Sequence, residues 1–189
     1  MLNKILAAAL LLAGPALAEG EPDGPGPNLV IEVAGAANGT VVIDLLPDYA
    51  PKHVAQIVTL AEMGAYDNVV FHRVIDGFMA QTGDVRYGKA GADQSMAGMG
   101  DSDLPNIPAE FSDVSFQRGI VGMARAQDPN SANSQFFIMF DDGSFLDGQY
   151  TVFGRVISGM EVVDAIKKGA GGNGEVSDPD VMAKVTVQE

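Results

Sequence analysis

The most informative stretch of this chain is FHRVIDGFMAQTGD, residues 71–84. It places one arginine, Arg73, a few residues before an apolar pair, Phe78 and Met79, and an amide, Gln81. Arginine stays charged and carries five N–H donors, so it can direct a cation at a bound group. The stretch therefore predicts a site that holds a small apolar ring against a cation and supplies no nucleophile.

The order FHR-x-x-x-GFM-x-Q-x-GD resembles the signature of the cyclophilin family of peptidyl-prolyl isomerases. Later segments resemble further signature strands of that family: GMARA at 122–126, SQFFI at 134–138, and FLDG at 145–148 followed by Tyr150 and VFG at 152–154. The resemblance covers essentially the whole chain after the first 27 residues. It implies an enzyme that catalyses cis/trans isomerisation of X-Pro peptide bonds during protein folding.

Short strand-like runs recur along residues 28–189, with turn residues between them. They lie at residues 29–33, 40–46, 69–74, 78–82, 120–123, 135–139, 152–156 and 183–187. The first two are joined through Asn38-Gly39, a dipeptide typical of tight hairpin turns. This pattern predicts a mainly β, antiparallel domain but does not choose between a barrel and a sandwich. The resemblance to cyclophilins implies a closed eight-stranded antiparallel β-barrel capped by two α-helices.

Two segments have helical periodicity. In the first, Pro51 fits the opening turn, Gly64 can end the helix, and one face carries Val54, Ile57, Val58 and Ala61. The second begins with a capping-box pattern from Ser158 to Glu161 and closes near Gly169. Two long stretches, residues 86–107 and 126–134, lack any periodicity and are predicted to be functional or mobile loops.

The chemistry that the signature stretch permits is rotation about a prolyl amide. Resonance sets a barrier of about 18–20 kcal/mol to that rotation. Halfway through, the nitrogen lone pair leaves conjugation and becomes a useful hydrogen-bond acceptor. A guanidinium directed at this nitrogen binds the twisted state better than either planar state, as catalysis requires. Arg73 is therefore the predicted catalytic residue.

The signature and the resemblance together imply which residues bind the substrate. Phe78, Met79, Phe137 and Leu146 would line the pocket for the proline ring, and Gln81 would hold the substrate backbone. A backbone edge at Ala124 would meet the peptide. The rim would be formed by Phe145 and Tyr150.

Three positions depart from the usual family pattern. Phe145 stands where many members carry tryptophan, so cyclosporin-like cyclic peptides are expected to bind with weakened affinity. Tyr150 replaces a frequent histidine, and Arg125 replaces a common asparagine next to a loop that is about one residue longer than usual. We expect these changes to shift substrate preference.

Other chemistries lack the necessary residues. There is no cysteine, and the chain has only two histidines. His53 is predicted to be a half-exposed helix residue, and His72 a structural histidine with satisfied ring nitrogens, on the opposite strand face from Arg73. Asp101, Asp103 and the Asp141-Asp142-Gly143 turn do not have metal-ligand spacing, so neither a metal nor a cofactor is predicted.

A non-catalytic alternative stays open, in which the groove is a chaperone or adaptor for extended proline-containing segments.

The first 27 residues predict export. Lys4, an apolar run over residues 5–13 and Ala16-Leu17-Ala18 match a signal peptide at residues 1–18, and residues 19–27 form a Gly/Pro/acidic tether before a domain at 28–189. Export without cysteine favours a periplasm.

The formal charge of −14 disfavours binding to nucleic acid and stable membrane association after cleavage of the signal peptide. The expected partners are proline-containing unfolded polypeptides, and the protein is expected to be a monomer.

Overall fold

A computed structural model describes residues 23–189 of the chain. The predicted signal peptide, Met1–Ala18, and the first part of the tether lie outside the described residues. The last part of the tether is attached to the sheet. The backbone N–H of Gly24 donates to Oδ2 of Asp44 at 3.2 Å, and the N–H of Leu45 donates to the carbonyl of Pro27 at 3.1 Å.

Nine strands and two α-helices make up the domain. In chain order they are β1 (Asn28–Ala34), β2 (Gly39–Leu45), α1 (Pro51–Glu62), β3 (Val69–Val70), β4 (Arg73–Ile75), β5 (Met79–Thr82), β6 (Ile120–Met123), β7 (Phe136–Met139), β8 (Val152–Ser158), α2 (Met160–Ala165) and β9 (Val181–Gln188). A single 3₁₀ turn, Ser144–Leu146, precedes β8.

The strands form one antiparallel sheet in the order β3-β9-β1-β2-β8-β6-β7-β5-β4, which curls into a half-barrel. The expected mainly β fold with two helices is confirmed. The strand predicted at residues 69–74 is divided into β3 and β4, because Phe71 and His72 pair with neither neighbour in a regular ladder. This division makes nine strands instead of eight. It also leaves the ladder open between the end strands, so the barrel is not strictly closed.

Strand alternation builds the main core. In β1, Leu29, Ile31 and Val33 are buried, while the residues between them are partly or fully exposed, as a half-buried strand requires. Val33 pairs with Gly39 of β2, and residues 35–38 connect the two strands. The hairpin is confirmed, but its loop is longer than the tight turn that Asn38-Gly39 predicted.

Helix α1 begins at Pro51, as expected, and covers the core with His53, Val54, Ile57, Leu60 and Ala61. The prediction that His53 is half-exposed is wrong, because its exposed fraction is 0%. Its ring lies against Glu110, with Nδ1 of His53 and Oε2 of Glu110 separated by 2.6 Å. A carboxylate from a distant loop compensates the buried ring, and the local sequence does not reveal that partner.

Helix α2 does not use the predicted capping box. Its N-cap is Gly159, at φ 87°, and no side chain caps the helix. A Cβ atom at Gly159 would lie 2.1 Å from the carbonyl oxygen of Thr40. Positive φ and this close approach both require glycine, so the chain enters the helix one residue later than Ser158 suggests.

A second, smaller cluster of apolar side chains lies on the other face of β5 and β7. In β7, Phe136 and Ile138 point into the main core, whereas Phe137 and Met139 join Met79, Phe116 and Val152 in the second cluster. The site described below lies on this second face.

No helix within residues 23–189 has the length and apolar character needed to cross a membrane.

Candidate active site

One row of paired residues runs across four neighbouring strands. Arg73 on β4 faces Gln81 on β5, Gln81 faces Phe137 on β7, and Phe137 faces Gly122 on β6. Residues that are paired across strands point to the same face of a sheet. The register therefore brings a cation, an amide and an aromatic ring together, although they are up to 64 positions apart in the chain.

These side chains surround a cavity of about 220 Å³, here called the ring cavity. Its lining residues are Arg73, Phe78, Met79, Gln81, Ala124, Arg125, Phe137, Leu146 and Tyr150. The structure thus brings together the predicted catalytic residue and seven of the eight predicted substrate-binding residues. Phe145 is the eighth. It is 64% exposed and packs against Phe78 at a ring-centroid distance of 5.5 Å, beside the cavity and not on its wall.

The guanidinium of Arg73 is held by neutral groups. Its Nε donates to the carbonyl of Asn173 at 2.8 Å, and its Nη1 donates to Oε1 of Gln81 at 3.2 Å. Nη1 also lies 4.0 Å from the sulfur of Met79. No carboxylate within residues 23–189 forms an ion pair with Arg73, and Nη2 has no hydrogen-bond partner there. The positive charge is therefore positioned but not neutralised.

A chain of amides fixes the orientation of Gln81. Nε2 of Gln81 donates to Oε1 of Gln135 at 3.1 Å, and Nε2 of Gln135 donates to the carbonyls of Gly98 and Gly100 at 3.1 and 2.9 Å. Because Gln135 can only donate to those carbonyls, its oxygen faces Gln81, and the oxygen of Gln81 faces Arg73. The long loop over residues 86–107 thus supports the cation through two side chains.

Aromatic contacts build the floor and wall of the ring cavity. Phe137 stacks on Phe116 at 5.7 Å and meets Tyr150 edge-to-face at 5.8 Å. Both arrangements are favourable for aromatic pairs. Ala124 uses its N–H to donate to the carbonyl of Gln135 at 2.9 Å, so its own carbonyl is the group that it can offer to a peptide.

Two larger cavities adjoin the ring cavity. One, of about 430 Å³ and here called the side cavity, shares Gln81, Ala124 and Arg125 with it. The other has a volume of about 570 Å³, shares Arg73 and Gln81 with the ring cavity, and is also lined by His72. The predicted loops, residues 86–107 and 126–134, form no helix or named strand and contribute to these cavities, so they belong to the site.

His72 is buried, with an exposed fraction of 8%, as a structural histidine should be. Neither of its ring nitrogens makes a hydrogen bond to another residue of the described chain, so the expectation of satisfied nitrogens is wrong. Burial lowers the pKa of His72 to about 4, against the opposing effect of the Asp84 charge. His72 is therefore neutral near pH 7 and does not line the ring cavity.

Among residues 23–189, no three side chains come together as metal ligands would.

Three residues of the site were not predicted from the sequence. Gln135 lies inside a recognised signature segment, and its side-chain amide was the available signal. The backbone carbonyl of Asn173 holds Arg73 from 100 positions away, and a carbonyl has no sequence signal. Phe116 packs beneath Phe137 from an irregular segment in which no periodicity marks it as buried.

Comparison with known proteins agrees with this geometry. Residues 29–187 match the family model of the cyclophilin type peptidyl-prolyl cis-trans isomerases. A probable peptidyl-prolyl cis-trans isomerase from Brucella suis is 60% identical over 154 residues, covering 80% of this chain and 79% of that protein. A peptidyl-prolyl cis-trans isomerase-like 1 from Aspergillus niger is 40% identical over 126 residues, covering 66% and 74%.

Solved structures are similar as well. A cyclophilin from Hirschia baltica matches with a TM-score of 0.69 at 28% identity, covering 87% of this chain and 74% of that one. A cyclophilin type isomerase from Cryptosporidium parvum, crystallised in the presence of the dipeptide Ala-Pro, matches with a TM-score of 0.72 at 25% identity, covering 86% and 99%.

The family match spans most of the chain, and the fold and the site agree with it. The chain belongs to the cyclophilin-type peptidyl-prolyl cis-trans isomerases. It is an enzyme of the isomerase class, and the resemblance inferred from residues 71–84 is confirmed.

Proposed function

We propose that this isomerase accelerates rotation about X-Pro bonds by donating a hydrogen bond from Arg73 to the prolyl nitrogen in the twisted transition state. The observation that carries the proposal is the guanidinium itself. It lines the ring cavity, it has no carboxylate partner within the described chain, and its Nη2 is free to donate. A planar prolyl amide offers little to this donor, whereas the twisted amide offers a lone pair.

The proline ring would occupy the ring cavity above Phe137, with Met79 and Leu146 beside it. One hydrogen bond to a charged group contributes about 1.5–3 kcal/mol. This equals about one to two decades of rate at about 1.36 kcal/mol per decade. Burial of the ring and exclusion of water would supply the remainder, because both strengthen the interaction of the cation with the nitrogen.

The substrates that we propose are proline-containing segments of unfolded or extended polypeptides. The Cryptosporidium neighbour was crystallised in the presence of Ala-Pro, which supports this class of ligand. Phe145 lies beside the ring cavity, and its single ring offers less surface than the two-ring indole of the tryptophan found in many family members. This supports weakened affinity for cyclosporin-like cyclic peptides.

The test of the mechanism is exchange NMR on a short X-Pro peptide with the wild type and Arg73→Ala. We expect turnover to fall about 10- to 100-fold, while the dissociation constant of the peptide changes much less. Arg86→Ala is the matched control, because Arg86 forms an exposed ion pair with Asp103 at 2.8 Å and lines none of the three cavities around the site. Equal loss of binding and turnover in Arg73→Ala would favour a chaperone or adaptor that merely binds extended segments.

We also propose that the protein works outside the cytoplasm, in a periplasm. Lys4, the apolar residues 5–13 and Ala16-Leu17-Ala18 support export. Expression in a bacterial host followed by fractionation and amino-terminal sequencing tests this. A mature chain that starts at Glu19 in the periplasmic fraction is expected, and an uncleaved cytoplasmic chain would refute the proposal.

A further inference from the structure

The arginines of the described chain divide into two groups by their partners. The sequence has 25 acidic residues against 11 Lys and Arg, so carboxylates are available in excess as partners for the arginines. Within residues 23–189, Arg86, Arg118 and Arg155 each form an ion pair with an aspartate. The two arginines that form none there are Arg73 and Arg125, and both line the ring cavity.

Arg125 is held in place without being neutralised. Its guanidinium carbon lies 4.5 Å from the centroid of the Tyr150 ring, a cation–π arrangement. Nε and Nη2 donate to the carbonyl of Gln149 at 3.2 and 2.8 Å, and Nη1 donates to the carbonyls of Ala126 and Gln127 at 2.8 and 3.3 Å. Carbonyl oxygens carry no net charge, and a guanidinium has five N–H groups, so one N–H of Nη2 is left for a ligand.

The position of Arg125 suits recognition of a substrate side chain. It follows Ala124, whose carbonyl can meet the peptide, and it lines both the ring cavity and the side cavity. A peptide with its proline in the ring cavity and its chain crossing the side cavity must pass this cation. Asp101 is the one carboxylate on the wall of the side cavity, and it shares that wall with Asn106 and Asn133. Arg125 is the positively charged residue on this wall, so the side cavity attracts an acidic side chain only near Arg125.

We propose that Arg125 is a specificity-determining residue, which makes X-Pro segments with a carboxylate within about two residues of the proline preferred substrates. An extended chain advances about 3.3–3.6 Å per residue, so only such near neighbours reach a side chain that borders the ring cavity. This inference rests on the proposed function, because it assumes that the proline occupies the ring cavity. An attraction of this kind is sensitive to salt, since the guanidinium is only partly buried.

The test uses two pairs of short peptides. In one pair glutamate or glutamine immediately precedes the proline, and in the other it immediately follows. We expect kcat/KM by exchange NMR at low ionic strength to favour glutamate in at least one pair by about two- to fivefold, the range that an exposed ion pair supports. High salt should reduce this ratio towards one. Arg125→Gln should abolish the ratio, whereas Lys52→Gln, which removes the same charge from an exposed position of α1, should retain it.

Each contrary result has a definite meaning. A wild-type ratio of one in both pairs, or a ratio that persists in Arg125→Gln, would overturn the proposal. Loss of the ratio in Lys52→Gln would assign the preference to overall charge and also overturn it. If no peptide were turned over, the isomerase mechanism would fail, and dissociation constants from the same spectra would still decide whether Arg125 selects glutamate.

Discussion

Arg73 and Gln81 stand directly opposite each other on β4 and β5, and Nη1 of Arg73 donates to the side-chain oxygen of Gln81 at 3.2 Å. Gln81 is in turn fixed by Gln135, which is anchored to the carbonyls of Gly98 and Gly100. The cation is thus oriented by neutral amides. An acidic partner in the same place would orient it equally well but would cancel the charge that the transition state needs.

Gln81→Met should separate orientation of the cation from its presence. Methionine has a similar length but makes no hydrogen bond, so Arg73 loses one of its two fixed partners. We expect kcat/KM to fall about tenfold, in line with a hydrogen bond to a charged group. Exchange NMR measures the loss, and thermal unfolding should change little. Gln117→Met, at an exposed position, is the control. A Gln81 variant with full activity would mean that the amide chain does not position Arg73.

Gly122→Ala should distort the floor of the ring cavity. A Cβ atom there would lie 2.6 Å from both Phe116 and Phe137, closer than real Cβ contacts allow. Overpacking of this kind costs about 1–3 kcal/mol. We expect a lower free energy of unfolding in urea and reduced kcat/KM. Gly172→Ala is the matched control, because a Cβ at Gly172 meets nothing within 4 Å. Equal stability of the two variants would contradict the prediction.

The stability of the protein should fall as the pH is lowered from about 7 to 4. Burial lowers the pKa of His72 from 6.5 to about 4, so between these values the unfolded chain binds a proton that the folded chain does not. Stability is therefore present above the unfolded pKa and is lost as pH falls towards the folded one. The loss from His72 is roughly 3 kcal/mol, at about 1.36 kcal/mol per pKa unit.

Urea unfolding of the wild type and His72→Gln at pH 7 and pH 4 measures this contribution. Burial also lowers the pKa of His53, against the opposing effect of Glu110, so His53 acts in the same direction in both proteins. The wild type should lose more stability than the variant. The same loss in both would mean that protonation of His72 is not resisted by the fold.

Turnover, by contrast, should be independent of pH between about 6 and 8. The proposed mechanism transfers no proton, and the guanidinium of Arg73 stays charged throughout that range. The low pKa of His72, about 4, keeps its ring neutral there, so the charge near Arg73 does not change. Measurement of kcat by exchange NMR at several pH values tests this. A step with a midpoint near 6.5 would show that a histidine takes part.

Local patterns in the sequence predicted the β class, the two helices and the core of the site. Alternation along strands and the order of residues 71–84 are local properties, because a period of two alone decides which side chains share a face. Met79 and Gln81, two positions apart on β5, therefore face the same cavity, and Arg73 joins them because it pairs with Gln81 across the neighbouring strands.

Only the tertiary structure decided which distant groups complete these local elements. The carbonyl of Asn173 reaches Arg73 across 100 positions, Gln135 reaches Gln81 across 54, and Glu110 meets the buried ring of His53 across 57. The sequence of a strand or helix does not specify such partners, because strand register and loop packing bring them together after the sheet has curled. For the same reason, the sequence by itself determined that two arginines stand near the signature segments, whereas the folded chain decided that both lack a carboxylate partner at one cavity.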